Sequence, residues 1–337
     1  MTCKSSMLGR QAPSRFGPDG GFALIAAIWM ATLLAVVASV FTSSVRSYIS
    51  DHSAARATAE AEMLAEAGVN LAVLDLVQSG PHGTVRRFPI DGSAVACQLP
   101  GSGILAIRVR DEAGKVDLNA ATDPLLKALL TGAGLTPTAV STKIEAIADF
   151  KDGDTSRRLN GAEADEYLAA GRLIGPKNAP FDAIEELSDV FGFNSELYNQ
   201  LRPHVTLYSG QDGVDPAVAS RELLTLLTRG AGDSAFDTPS LLESTFASSA
   251  LILPPQFTTV STKRAFSIEV EARTERGAHF VREAIVSLID RTQRQPILAE
   301  GGFSARPQSS YRIWRWRRGD GSTDISPPQL ASNLSPC

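Results

Sequence analysis

The chain has 337 residues, 43% of them hydrophobic and 20% charged, with a net charge of −5. That balance excludes an intrinsically disordered chain and is too mild to point to a partner by itself. The three cysteines (Cys3, Cys97 and Cys337) do not form the paired ligands of a zinc finger or ribbon.

Residues 1–21 form a short leader that is basic on balance, with Lys4, Arg10 and Arg15, and it ends in Gly20-Gly21. Residues 22–41 then carry no charged side chain. Twenty residues at about 1.5 Å rise make about 30 Å of helix, enough to cross a bilayer core. Only a poor cleavage site follows the apolar run, which distinguishes it from a secretory signal peptide. From Arg46 to Gln78 there is no proline, and the only glycine is Gly68. Val45, Ile49, Ala55, Ala59, Met63, Ala67, Leu71 and Leu74 recur mostly at spacings of three or four and predict one apolar stripe. A single helix is therefore expected over residues 22–78, its first half in lipid and its second half packed on a soluble body.

Short runs separated by turns come next: 84–90, 94–99 and 104–110 read as strands, with Asp91-Gly92 and Gly101-Ser102-Gly103 between them. After Val116 the strand signals stop. Helical runs are expected over 123–133, 138–150, 162–170, 183–191, 195–202 and 216–229, with Asp123 read as an N-cap before Pro124. Strands return at 264–273, 279–289 and 311–317, an antiparallel set with one wet face. A serine- and proline-rich tail, 319–337, is expected to be disordered. The fold class is α+β. Its expected parts are a leader (1–21), a transmembrane and packing helix (22–78), a β region built from 79–118 and 255–318, an inserted α-helical domain (119–254) and the tail.

The leader, the glycine before Phe22 and the long half-apolar helix resemble type IV prepilins and type II secretion pseudopilins. By that resemblance, a prepilin peptidase cuts between Gly21 and Phe22 and methylates the new amino terminus of Phe22. Most such proteins have glutamate as the fifth mature residue, where this chain has Ala26. The K-type minor pseudopilin (GspK-like) lacks that acid. A glutamate in lipid is costly unless it meets a partner charge, and a subunit with nothing stacked above it has none to meet. Gly114–Ala121, Asp149–Asp154, Gly161–Leu168, Ala179–Leu187 and Leu201–Leu207 carry the rest of the resemblance, although Phe150 stands where the family usually shows tryptophan. The resemblance implies a non-enzymatic subunit at the tip of a periplasmic pseudopilus, anchored by one span in the lipid of the bacterial inner membrane. It further implies the I-, J- and H-type minor pseudopilins, the major pseudopilin and the prepilin peptidase as partners.

Asp149, Asp152, Asp154, Glu163 and Asp165, with Glu166, are the densest acidic cluster. Aspartates at alternate positions around a glycine suit calcium, and K-type subunits are associated with it, but the EF-hand pattern is absent. The other reading is a turn whose acids cap the flanking helices. Asp117-Leu118-Asn119 is expected to fix the junction of sheet and helical domain by side chain to backbone bonds. The same stretch resembles the start of a helix-hairpin-helix unit, which raises a DNA-gripping pilus tip as a rival reading. Charge argues against it, and no nucleic acid is expected: residues 119–254 hold 10 basic and 19 acidic side chains, net −9. A signal-anchored periplasmic protein is the other rival. Residues 255–318 hold 12 basic and 6 acidic side chains. Within them, one reading makes Arg312, Arg315, Arg317 and Arg318 with Trp314 and Trp316 a stacking surface for nucleic acid or a partner; the favoured one follows alternation, with Arg315 and Arg317 on one strand face, wet, and Trp314 and Trp316 on the other, packed on the helix. Cys97 and Cys337 have the option of pairing, but the tail argues against it. No catalytic motif stands out among the scattered histidines and serines.

Overall fold

The computed structural model describes residues 20–79, 86–232, 253–289, 310–319 and 334–337. It divides into two compact units, Met1–Ala57 and Thr58–Cys337. Helix α1, Gly20–Ser79, is 60 residues long and contributes to both. In the first unit its segment Leu24–Ser44 has mean hydropathy 2.5 and is long and apolar enough to cross a membrane. Three of its hydroxyls are satisfied within the helix: those of Thr32, Thr42 and Ser43 donate to the Trp29, Ala38 and Val40 carbonyls. Such back-bonding is what a hydroxyl in hydrocarbon requires.

The second unit is built on a five-stranded antiparallel sheet of order β1-β2-β5-β6-β7. Its strands are β1 (Asp91–Leu99), β2 (Gly103–Asp111), β5 (Ala265–Thr274), β6 (His279–Leu288) and β7 (Tyr311–Arg318). Between β2 and β5 the chain leaves the sheet. There it forms β3 (Val116–Asp117), α2 (Asp123–Gly132), α3 (Pro137–Lys151), α4 (Ala164–Ala169), α5 (Ser195–Leu201), β4 (Val205–Thr206) and α6 (Arg221–Ala231). This is the pattern of a sheet interrupted by a helical insertion.

The C-terminal part of α1 packs on one sheet face through Ala61, Leu64, Ala65, Val69, Ala72, Val73 and Leu76, against Leu105, Ile107, Phe266, Ile268 and Val270 among others. This face differs from the expected stripe. Met63 is 62% exposed and Leu74 49%, while Ala67 and Leu71 only flank the contact. The helix lies so close to the sheet that a Cβ on Gly68 would stand 2.6 Å from Val270 Cγ1. Close approach selects small side chains, so the contact face is set by Ala and Gly and not by the bulkiest apolar residues. At its rim Arg282 is ion-paired with Glu62 and with Glu66 (3.0 Å), and its guanidinium lies 4.9 Å from the Phe280 ring centroid.

Several expected elements change. Residues 86–90 are not a strand; the Arg87 and Phe88 N–H groups donate to the Asp75 carboxylate of α1 (3.1 and 3.3 Å) and so leave the ladder. Thr122 is the N-cap of α2 and Asp123 the first helical residue, one place earlier than read from sequence. The run at 183–191 is a 3₁₀ segment, Ile184–Ser188, and α6 starts only after its Ser220 cap, whose Oγ accepts from Leu223 N. The two-residue parallel ladder of β3 with β4 is too short for any sequence pattern to reveal.

The tail is the clearest correction. Residues 320–333 lie outside the described ones, but Leu334–Cys337 dock on β1. Gln98 N donates to Ser335 O (3.0 Å), Cys337 N donates to Gln98 O (2.9 Å), and Cys97 and Cys337 form a disulfide with Cα atoms 5.0 Å apart. Cys97 is fully buried, so its thiol is aimed at a fixed place that the chain end can reach.

Two stability measurements follow from this packing. Thermal unfolding of Gly68→Leu should show a loss of about 2–3 kcal/mol from overpacking, whereas Met63→Ser should change little; equal effects would contradict the assigned face. Cys97→Ser should cost about 2–4 kcal/mol, and an unchanged midpoint would mean that the terminus contributes nothing.

Candidate functional site

The chain crosses from sheet to insertion at residues 111–119, and buried carboxylates hold the crossing. Asp117 Oδ1 accepts from Asn119 N and Ala120 N (2.9 and 3.3 Å), and its Oδ2 accepts from Gly210 N and Ser209 Oγ (2.8 and 3.2 Å). Asn119 pairs both ways with the Phe181 backbone, donating from Nδ2 to its carbonyl and accepting at Oδ1 from its N–H, each 2.9 Å. The side chain to backbone bonding expected of this tripeptide is therefore present. The return crossing joins the same network. Ser261 Oγ donates to Asp111 Oδ2 (2.5 Å), Ser261 N donates to Asp215 Oδ2 (2.8 Å) and Asp215 N donates to Ala113 O (2.8 Å).

Glu112 is fully buried beside these groups. Burial is the largest influence and pushes its carboxyl up. The nearby Lys115 charge, with hydrogen bonds from Lys115, Thr206 and Ser267, outweighs burial and holds the carboxyl below the ordinary glutamate value. For Asp111 burial wins, and the carboxyl is raised.

The acidic cluster lies between α3 and α4. Asp149 is fully buried at the end of α3, and Glu163 is 7% exposed just before α4. Burial raises both carboxyls, and other acids add to the effect: Asp152 acts on Asp149, while Asp149, Asp152, Asp154 and Glu166 act on Glu163. One oxygen of each of three acids, Asp149 Oδ1, Asp152 Oδ1 and Glu163 Oε1, is buried without a hydrogen-bond partner. Asp154 is exposed and accepts from Ser156 N (2.7 Å); Asp165 is exposed in the first turn of α4.

Arg158 is the nearest compensating charge, 3.4 Å from Asp149 Oδ1 and 3.6 Å from Asp152 Oδ2, and its N–H donates to Asp149 Oδ2 (3.2 Å). Among the described residues no three His, Cys, Asp or Glu side chains converge as a ready-made metal cage. The two findings are compatible, because the acids lie close enough to repel one another while Arg158 and backbone N–H groups divide their oxygens. A Cβ on Gly161 would fall 2.0 Å from Asp149 Oδ2, so the loop closes over this carboxylate only with glycine there. Phe150 and Phe181 stack with centroids 5.0 Å apart, an aromatic wedge where tryptophan was the family expectation. Burial pushes the Tyr167 phenol up to about 12, and its oxygen accepts from Phe191 N (2.8 Å).

The second sheet face is not simply wet. Arg108, Glu269, Glu283 and Arg317 stand opposite one another across β2, β5, β6 and β7. With Arg315 they line a cleft of about 340 Å³, closed on the other side by Ile184, Asn199, Arg202 and Pro203. Arg315 reaches Glu185 of the insertion (2.7 Å), and Arg317 reaches Glu283 (2.6 Å). The expected split of arginines and tryptophans fails at a bulge between Ile285 and Val286, which leaves Trp314 as the extra residue. Trp314 is 48% exposed, with its ring centroid 5.9 Å from that of Tyr208; Trp316 is 38% exposed. Gly21 and Phe22 fall in the first turn of α1, and their side chains lie outside the described residues.

A long helix is laid on an antiparallel sheet, and a helical domain is inserted between the second and third sheet strands. Residues 105–210 match the family model for type II secretion system protein K, a span that holds the outgoing crossing, the acidic cluster and β4. The type II secretion system protein K of Pectobacterium carotovorum subsp. carotovorum is 30% identical over 125 residues, which is 35% of this chain and 38% of that protein. The chain thus aligns with well under half of that curated relative. In fold, a chain of the GspK-GspI-GspJ complex from the enterotoxigenic Escherichia coli type 2 secretion system matches 82% of this chain and 99% of its own, with a TM-score of 0.52 and 19% identity. The protein is therefore similar in fold, over most of its length, to a chain of that complex, and similar in sequence to protein K over the crossing and the acidic cluster.

A carboxyl lowered on folding stabilises the folded state above its unfolded value and loses that contribution as pH falls through the folded one. Glu112→Gln should therefore lower stability near neutral pH by about 1–3 kcal/mol. It should also flatten the loss of stability below the ordinary glutamate value of 4.5. Denaturant titrations from pH 7 to pH 3 in detergent would check this; parallel curves for variant and parent would refute the assignment.

Proposed function

We propose that the protein is a minor pseudopilin that caps the tip of a type II secretion pseudopilus and supports export of folded proteins from the periplasm. The observation that carries this reading is the acidic helical domain inserted between β2 and β5 of a pilin-type body. A domain of that bulk obstructs addition of a further subunit above it, and the absence of a glutamate at position 26 suits a subunit with no neighbour above. Segment Leu24–Ser44 would anchor the chain in the inner membrane as a single pass, with the body in the periplasm. The disulfide fits that compartment. The I-, J- and H-type minor pseudopilins are the partners this reading names. Its role is structural, without catalysis.

The leader would be removed between Gly21 and Phe22 by a prepilin peptidase, with methylation of Phe22. Mass measurement of the membrane-extracted chain with and without the peptidase tests it. The expected result is loss of residues 1–21 plus one methyl group, abolished in Gly21→Leu; an uncut chain in both would favour a plain signal anchor.

Calcium would be held by Asp149, Asp152, Asp154 and Glu163, with Asp165 at the rim. The support is chemical: three buried carboxylate oxygens lack hydrogen-bond partners, and hard oxygen donors suit a hard cation that also quenches their mutual repulsion. Bound calcium would supply charge neutralisation and fix the loop between α3 and α4, displacing Arg158 from its acids. Adding calcium to the chelator-treated full chain should raise the unfolding midpoint by several degrees, and Asp149→Asn or Gly161→Ala should remove the rise. No rise in the parent protein would sink the calcium reading and leave the acids as helix caps and ion pairs.

A further inference from the structure

The two edges of the sheet are treated differently. The β1 edge is covered at its C-terminal end, where Leu334–Cys337 hydrogen-bond to Gln98 and are stapled by the disulfide. Among the described residues no strand lies outside β7. An open edge carries unpaired N–H and C=O groups, and proteins ordinarily blunt such an edge or use it.

The side chains of β7 favour use. The chain has three tryptophans; Trp29 lies in the apolar span, and both others stand on β7. Ile313 is 44% exposed, Trp314 48% and Trp316 38%. Four of the eight β7 residues are arginines. Tryptophan and arginine are the residue types that dominate binding energy at protein interfaces, and half-exposed tryptophan is costly without such a role. Arg312 lies 4.1 Å from the Trp314 ring centroid and Arg318 lies 5.0 Å from that of Phe280. A guanidinium held flat on a ring keeps its edge N–H groups for a carboxylate. The bulge at Trp314 twists the first half of the strand, whereas Arg315–Arg318 beyond it continue in regular register with β6.

We propose that the outer edge of β7 is a docking strand for an acidic, extended segment of another protein, added to the sheet next to Arg315–Arg318. Main-chain bonds to the edge supply affinity, and acidic side chains on both faces of the added strand, toward Arg318 on one face and toward Arg312 beyond the bulge on the other, supply selectivity. The basic character of the returning part of the β region, 12 basic against 6 acidic side chains in residues 255–318, selects an acidic partner over a basic one. The inference is independent of tip position or secretion.

The test uses the full chain in detergent micelles and a short peptide of glutamate and valine with glutamates on both faces of the extended chain, with a lysine and valine peptide of the same order and single-stranded oligothymidylate as comparisons. Amide hydrogen exchange of 311–318 is the readout, with exchange of β6 as the control that the sheet stays folded. The glutamate peptide should slow β7 exchange by about tenfold at low salt. Added salt should weaken the effect, and an R312E/R318E double variant should abolish it while β6 protection is kept. No slowing, equal slowing by the lysine peptide, or slowing only by the oligonucleotide would overturn the proposal. If the double variant loses β6 protection, Arg312→Gln with Arg318→Gln takes its place, and undiminished peptide binding there would also overturn it.

Discussion

The structure depends on holding together two crossings of one polypeptide. The chain leaves the sheet after β2 and returns before β5, so everything between them hangs on two adjacent strands of backbone. Asp111, Glu112 and Asp117 sit at that place, each at most 1% exposed. An isolated buried carboxylate is costly, and one saturated by N–H, O–H and ammonium donors acts as a fixed multi-point connector. Asp111 reaches the returning chain at Ser261, Glu112 reaches β4 at Thr206, and Asp117 reaches Ser209 and Gly210. A single apolar contact has no comparable directionality, so a hydrophobic junction of the same size would leave the insertion free to rotate.

From that junction the charges of the molecule separate. The insertion is acidic and the returning strands basic, and they face each other across a cleft crossed by the Arg315–Glu185 pair. The other sheet face is the opposite in character. It is closed by alanines, leucines and valines of α1 at near contact, with Arg282 covering the rim. One sheet thus carries a rigid apolar face toward its helix and a hydrated, ionic face toward its insertion.

Much of this was legible in the sequence. The apolar span, the order of strands and helices, and the anchoring role of Asp117 and Asn119 follow from local periodicity and from the chemistry of short polar side chains. What escaped depended on distance in three dimensions. Which face of α1 is buried follows from how closely the helix approaches Val270, and Gly68 was the only local sign of it. The β3–β4 ladder is two residues long and pairs positions far apart in the chain. A single bulged residue reversed the side assigned to Trp314, because alternation holds only while the register does. In the acidic cluster the sequence displayed the carboxylates, but not that Arg158 would return from the same loop to share them, nor which oxygens would be left without partners. The pairing of Cys97 with Cys337 was hidden by composition: a serine- and proline-rich stretch says nothing about where its last few residues land.

That disulfide links residues 240 apart in sequence, and it has a mechanical meaning. If tension is applied between the N-terminal helix and Cys337, the load passes from residue 97 through the sulfur atoms directly to residue 337. The sheet strands β2 to β7 and the inserted helices form a side loop that carries none of it. Only the segment before Cys97 can then lengthen under such a pull. Such a pull confines stretching to the N-terminal helix, its connection to the sheet and the first strand, and leaves the body intact.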